Sequence, residues 1–454
     1  MTLLNRIKQI PTGDIYIYLL GLFMLVNMKM EYRWQDHFII RHDVSGYYNY
    51  LPGAFLRNNL YYENHADIQG KEIHLAEPNK TPDGRLYNKY TMGMAYMYTP
   101  FFMGSVVCAK ISGHKIDGYT VPFQIGILLS GWFYMILGLL YTRRILHFFY
   151  SEQVALLTVT LVTFATNLLY YGTYEAGMTH TADFALFAAL IYYSWKHWLV
   201  PKKRYFAAII LTVSLLTLIR PVNGLAVLIP LFFNSEGKFA LKKYLQYAIS
   251  SKINIALTAL ILFLVFFPQL LYWKMGTGHW IYYSYQNEGF NFSKPEIMNG
   301  LFSYRKGWFV YTPVWILFIP GLFFLYRKNK KLPVFIFGFF LVYIFFVFSW
   351  WSWYYGGSFG SRAMIDIYPL LALPLAAFVN WAINTKLPVK IAAGVLFVCF
   401  IQLNLFQTEQ YKYGLIHWSQ MDKDTYWKVW GKMKLTEEEW KYVGDKWKTN
   451  YNGI

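Results

Sequence analysis

The sequence predicts an all-α polytopic membrane protein with about eleven spanning helices (about ten to thirteen) and a long first external loop that carries interfacial helices. Three observations predict it. Of the 454 residues, 56% are apolar, 21% aromatic and only 15% charged, too little polar surface for a water-soluble chain of this length. The apolar residues fall in runs long enough to cross ~30 Å of hydrocarbon. The basic residues, which give a net charge of +18, lie in short clusters between those runs, where they orient a chain rather than bind nucleic acid. The two cysteines, Cys108 and Cys399, exclude a disulfide framework and a thiolate metal site.

The first run, 15 to 28, follows Arg6 and Lys8 and has no small-residue cleavage pattern behind it, so it reads as an uncleaved signal anchor. Further runs lie near 120–141, 153–171, 179–195, 205–219, 222–234, 253–273, 308–326, 333–350, 364–383 and 389–406. The two runs flanking Arg220-Pro221 are short, and read as two spans, one bent helix or a re-entrant hairpin. Met92 to Ala109 is apolar as well. If it crosses, every later basic cluster moves to the side opposite Arg6 and Lys8; it is therefore read as an interfacial or half-inserted helix, containing Pro100, within a first external loop of about 30–119. With that parity, Arg143-Arg144, Lys196 with Lys202-Lys203-Arg204, Lys238 with Lys242-Lys243 and Lys252, Arg327-Lys328 with Lys330-Lys331, and Lys386 with Lys390 share the cytoplasmic side with the amino terminus. Residues 1–406 form the membrane domain of a multi-pass plasma (inner) membrane protein. The Trp- and Lys-rich tail, 407–454, is external, and the spacing of Thr436 and Glu439 predicts a capping box opening a short interfacial helix.

Substantial loops exist only on the outer face, so the candidate chemistry lies there. Asp43, ahead of Tyr47-Tyr48, reads as a general base near the membrane plane or as a helix cap before Ser45-Gly46. Lys89 binds a phosphate or snorkels. Glu175, His180 and Asp183 hold a divalent cation or a sugar hydroxyl, or are interfacial polar groups. Arg220, Arg305 and Arg362 stand at outer helix ends, where a cation opposes the topology signal. In Trp350-Trp351-Ser352-Trp353-Tyr354-Tyr355-Gly356-Gly357-Ser358-Phe359-Gly360-Ser361-Arg362, glycines that expose amide donors precede an arginine at a helix start, which predicts an anion site; the other reading is an aromatic belt with Arg362 paired to Asp366.

The order and common side of these motifs resemble the GT-C superfamily of membrane glycosyltransferases, which holds the protein O-mannosyltransferase-like and aminoarabinose-transferase-like enzymes. The resemblance extends to about residue 406 and rests on Asp43 before Tyr47-Tyr48, Asn88-Lys89-Tyr90, Thr179-His180, Arg220-Pro221, the stretch from Tyr304-Arg305-Lys306-Gly307-Trp308 to Pro313, and the Trp-rich Gly-Gly-x-x-Gly-x-Arg loop. Two departures stand out. The chain has Lys89-Tyr90-Thr91 where the mannosyltransferase relatives carry a Lys-Pro-Pro-like stretch, and no second acid adjoins Asp43 unless Asp36 supplies one.

The resemblance implies a GT-C-like fold and transfer of a sugar from a polyprenyl-phosphate carrier in the bilayer to an extracytoplasmic acceptor, with inversion. Asp43 would be the base, with Lys89, Arg220, Arg305 and Arg362 around the donor phosphate. Tyr48, Glu175 and His180 would meet the sugar, the acceptor or a metal, and Trp353 and Tyr354 would stack on prenyl or sugar. The resemblance fixes no cofactor, and a divalent cation stays an open alternative. A flippase for a lipid-linked saccharide shares the cations and spans but calls for ionisable groups deep within spans and for repeats, neither of which the sequence displays. A glycan polymerase or ligase of related topology differs mainly in its acceptor.

Overall fold

The computed structural model describes residues 12–31, 34, 39–61, 75–234 and 239–452. Arg6, Lys8, Arg33, Asp36, Lys71 and Lys238 lie outside the described residues. The described chain is all-α apart from one two-stranded ribbon, β1 (Asn79–Lys80) against β2 (Leu86–Tyr87). The helices used below are α1 (Thr12–Glu31), α2 (His42–Tyr48), α3 (Gly93–Ser112), α4 (Val121–Leu146), α5 (Glu152–Phe164), α6 (His180–Leu199), α7 (Lys203–Ile219), α8 (Leu241–Ile249), α9 (Lys252–Thr277), α10 (Phe318–Lys328), α11 (Lys331–Ser349), α12 (Tyr368–Ile383), α13 (Leu387–Lys412), α14 (Lys423–Val429) and α15 (Glu437–Asn452).

Among the described residues five helical stretches are long and apolar enough to cross a bilayer: α4, α9, α11, residues 362–383 and α13. Along α9 and α13 the apolar windows are only 17% and 11% buried in the protein, so these helices turn apolar side chains outward on most sides. Such a surface is stable in hydrocarbon and not in water.

The remaining expected spans differ, each for a local reason. The run 153–171 is divided. Thr166 Oγ1 bonds back to Val162 O at 2.6 Å and accepts Leu168 N at 3.1 Å, replacing a helical bond, and α5 ends at Phe164. The run 205–234 breaks at Arg220, whose extended backbone (φ −142°) is what a residue before proline prefers; a 3-10 turn, Pro221–Val227, and a short helix, Leu228–Phe232, follow. The run 308–326 is cut at Thr312-Pro313 into Trp308–Tyr311, a 3-10 turn and α10. Helix α3 is continuous through Pro100 and ends at Gly113, which takes the left-handed conformation (φ +71°).

Two compact units divide the chain. The first holds the described residues up to Ile145 and Tyr171–Glu288. Its ends have opposite character. At one, Asp14 of α1, 2% exposed, accepts from Arg143 and Arg144 of α4 at 2.6 Å each. Tyr141 of α4 meets Tyr193 of α6 at 2.8 Å, and His197 of α6 packs on Tyr244 and Tyr247 of α8. The Arg143-Arg144, Lys196, Lys202-Lys203-Arg204 and Lys242-Lys243 clusters therefore gather at this end. At the other, Gly93 abuts Ile219 so closely that a Cβ would sit 2.5 Å from its backbone nitrogen, and Asn88 N donates to Tyr272 OH of α9 at 2.7 Å.

The second unit holds Leu146–Tyr170 and the chain from Gly289. Gly321 of α10 lets that helix cross α12, since a Cβ there would lie 2.1 Å from Pro374 O. Asn167 joins the unit by accepting from Tyr368 OH at 2.8 Å and donating to Phe359 O at 3.0 Å. In the tail the Thr436–Glu439 capping box forms, with reciprocal bonds of 3.1 and 3.3 Å opening α15.

Candidate functional site

The first unit brings Asp43, Lys89, His180 and Arg220 to its end opposite the basic clusters. Asp43 lies in the first turn of α2 and is half-buried. The cap position belongs to Arg41, which makes no side-chain capping bond, so the capping reading of Asp43 does not hold. Asp43 Oδ1 instead accepts the hydroxyl of Tyr90 at 2.6 Å. Gly46 makes this approach possible, because a Cβ there would stand 2.2 Å from the Tyr90 ring. Asn88 fixes the strand of chain between them, donating from Nδ2 to Gly46 O at 2.6 Å and accepting Tyr90 N at 3.0 Å. Burial, then the Asp43 charge, hold the Tyr90 phenol well above its ordinary value, so it remains a donor.

Lys89 is half-buried and ion-paired, with Nζ 2.5 Å from Glu288 Oε1 and 5.3 Å from the centre of the Tyr285 ring. Tyr285 marks how tightly the groups are drawn together. Burial raises its phenol, the Asp43 and Glu288 charges raise it further, and Arg220 opposes them. Arg220 caps the carboxyl end of α7 and places Nη1 3.3 Å from Nδ1 of His180, at the amino end of α6. The Tyr171 ring meets the edge of His180 at 5.7 Å. Glu175 lies 4.0 Å from the guanidinium of Arg41.

Glu175 and His180 Nδ1 each face an arginine. Asp183 is buried one turn beyond His180 on α6. Tyr48 does not reach the cluster. It is fully buried among Tyr98, Phe102 and Tyr119, with its hydroxyl donating to Gly118 O at 2.5 Å, and it serves packing rather than a sugar or metal.

In the second unit, Arg305 lies over the Tyr354 ring, its Cζ 3.5 Å from the centre, with Trp353 at 5.9 Å. Its Nε donates to Ser419 O at 2.9 Å, and its buried Nη2 has no hydrogen-bond partner among the described residues. Burial pushes this guanidinium below its ordinary value, with Tyr354 opposing. One face of the Tyr354 ring is thus covered by a cation. Lys306, 2% exposed, donates from Nζ to Ser358 O.

The Gly-rich loop makes the expected tight turns, with Tyr355, Gly356 and Gly360 at φ +54°, +62° and +61°. Ser358 N donates to Trp418 O at 3.2 Å, and the Ser358 and Phe359 carbonyls accept from Lys306 and Asn167. Arg362 is buried at the head of a 3-10 turn, Arg362–Ile367, that leads into α12.

Sequence reasoning missed Gly46, Tyr90 and Asn88 as a scaffold for Asp43, Glu288 as the partner of Lys89, and Ser419 of the tail as a partner of Arg305. Only the bulky aromatic beside Lys89 carried a signal, since Tyr90 occupies a place where the family resemblance implied a proline. No protein-family model matches this chain, and no curated protein matches it significantly.

Proposed function

We propose that this protein is an inverting glycosyltransferase of the GT-C kind that moves a sugar from a polyprenyl-phosphate carrier to an acceptor on the outer face of the plasma membrane. One observation carries the reading: a half-buried carboxylate, Asp43, is oriented by a phenol and gathered with Lys89 and Arg220 at the end of the first unit away from its basic clusters. In that arrangement the acceptor hydroxyl gives its proton to Asp43 as its oxygen bonds to the anomeric carbon. The bond from that carbon to the phosphate oxygen breaks on the opposite side, and the phosphate leaves as a stable anion without a general acid. Lys89 and Arg220 offset the charge that grows on it. Arg305 and Arg362 are the second unit's own candidates for binding an anion.

The proposed topology has about eleven spans, five of which are the long apolar helices described above, with the basic end of the first unit cytoplasmic. Ser293→Cys, in an exposed loop, should then react with an impermeant thiol reagent from outside and Ser250→Cys should not, in a chain whose two native cysteines are replaced. The reverse pattern would overturn the orientation. Function is tested by glycosyl transfer in liposomes, using a panel of polyprenyl-phosphate sugars and comparing the wild type with Asp43→Asn, which should lose ~100-fold or more in rate. Carrier-sugar translocation without transfer would point to a flippase instead.

A further inference from the structure

Helix α8 has two apolar faces, and the described residues cover only one of them. Tyr244 and Tyr247 pack inward on His197, with ring centres 5.4 and 4.6 Å away, and Tyr247 also meets Phe206 at 5.2 Å. One third of a turn away, Leu241, Leu245 and Ile249 follow one another at i, i+4 and i+8 and are 39%, 55% and 70% exposed. Lysines border the exposed stripe. Lys242 points to solvent, and Lys243 holds its Nζ 3.7 Å from the Trp198 ring centre. At nine residues, or ~13 Å, the helix is too short to cross a bilayer.

The surroundings state the charge of whatever covers this face. Between Asp183 and Glu288 the sequence holds a single acid, Glu236, while Lys196, Lys202, Lys203 and Arg204 join Lys242 and Lys243 at this end of the unit. A short helix with an apolar stripe, flanking lysines and no acids is complementary to a surface that is oily below and anionic above. We propose that α8 is a monotopic docking helix for anionic phospholipid, its Leu241–Ile249 stripe in the acyl boundary and Lys242 and Lys243 among the phosphate headgroups. The occupant is the bilayer the protein already sits in, so the contact depends on lipid composition and weakens with salt.

The test uses the full chain with Cys108 and Cys399 replaced by Ser and Leu245→Cys carrying an environment-sensitive fluorophore, reconstituted in vesicles of phosphatidylcholine alone or mixed with phosphatidylglycerol. The label should be quenched by brominated acyl chains and shielded from aqueous iodide in the mixed vesicles. The docked-to-undocked ratio should fall about tenfold in phosphatidylcholine alone, and by as much in Lys242→Gln/Lys243→Gln. A second label at Trp351→Cys, in the exposed part of an unrelated loop, should not respond to lipid charge, which separates local undocking from misfolding. Iodide quenching without bromolipid quenching in the mixed vesicles would overturn the proposal. So would bromolipid quenching that is equally strong in phosphatidylcholine alone, because the contact would then not depend on lipid charge.

Discussion

Tyr90 donates its hydroxyl hydrogen to Asp43 Oδ1 at 2.6 Å, across a gap that exists because residue 46 is glycine. If Asp43 is the base, the phenol sets the direction of the carboxylate and acts through it. Tyr90→Phe keeps the ring against Gly46 and removes one charge-assisted bond, so kcat should fall about tenfold with KM little changed. Asp43→Asn should cost ~100-fold or more. Steady-state transfer kinetics in liposomes check both, and full kcat in Tyr90→Phe would remove the positioning role.

Lys89 and Glu288 make the second testable pair. On the proposed reading, the Lys89 ammonium, 2.5 Å from the Glu288 carboxylate, shares its charge between that acid and the donor phosphate. Lys89→Met should lower kcat/KM by about two orders of magnitude, whereas Glu288→Gln should lower KM by removing the competing anion. An increase of KM in Glu288→Gln would show instead that the acid is needed to hold the lysine in place.

The tail should respond to pH through His417. Burial, with Lys306 adding to it, pushes this imidazole from 6.5 down to about 4. The neutral ring is the form the fold uses, because Nδ1 accepts the backbone N–H of Ser419 at 3.0 Å and of Gln420 at 2.7 Å. A group with a lowered folded value contributes fully above its unfolded value, so the stabilisation is present above about 6.5 and lost as pH falls toward 4. Proteolysis within residues 413–452 should accelerate across that window. His417→Asn, whose side-chain oxygen can accept the same bonds, should flatten the response; a flat wild-type profile would contradict the assignment.

Two glycines of the aromatic loop should differ in what a methyl costs. Gly356 and Gly360 both have left-handed backbone, at φ +62° and +61°. A Cβ at Gly356 meets nothing within 4 Å, while one at Gly360 would lie 2.9 Å from Tyr311 Cβ. Gly356→Ala should therefore cost about 1 kcal/mol and Gly360→Ala about 3 kcal/mol. Thermal melting in detergent should rank them in that order.

Composition and patterning were enough to determine an all-α chain with membrane-length apolar helices, because helix hydrophobicity is a local property summed along the sequence. The same holds for the break before Pro221 and the Thr436–Glu439 cap, which depend on neighbours a few residues apart. Among the site residues, Asp43, Lys89, His180 and Arg220 were legible as charges at helix ends on one expected side.

What tertiary structure decided was which partner each charge meets. Tyr48 and Tyr90 are both tyrosines beside a candidate motif, yet burial sends one hydroxyl to Gly118 O and the absence of a Cβ at Gly46 sends the other to Asp43. Glu288 lies 199 residues from the lysine it pairs with. Ser419, in a tail that carries no catalytic signature, accepts from Arg305. These choices turn on distances across the fold, and hydrogen bonds and ion pairs act only within a few ångströms, so a sequence that states the charge of a residue does not state what that charge touches.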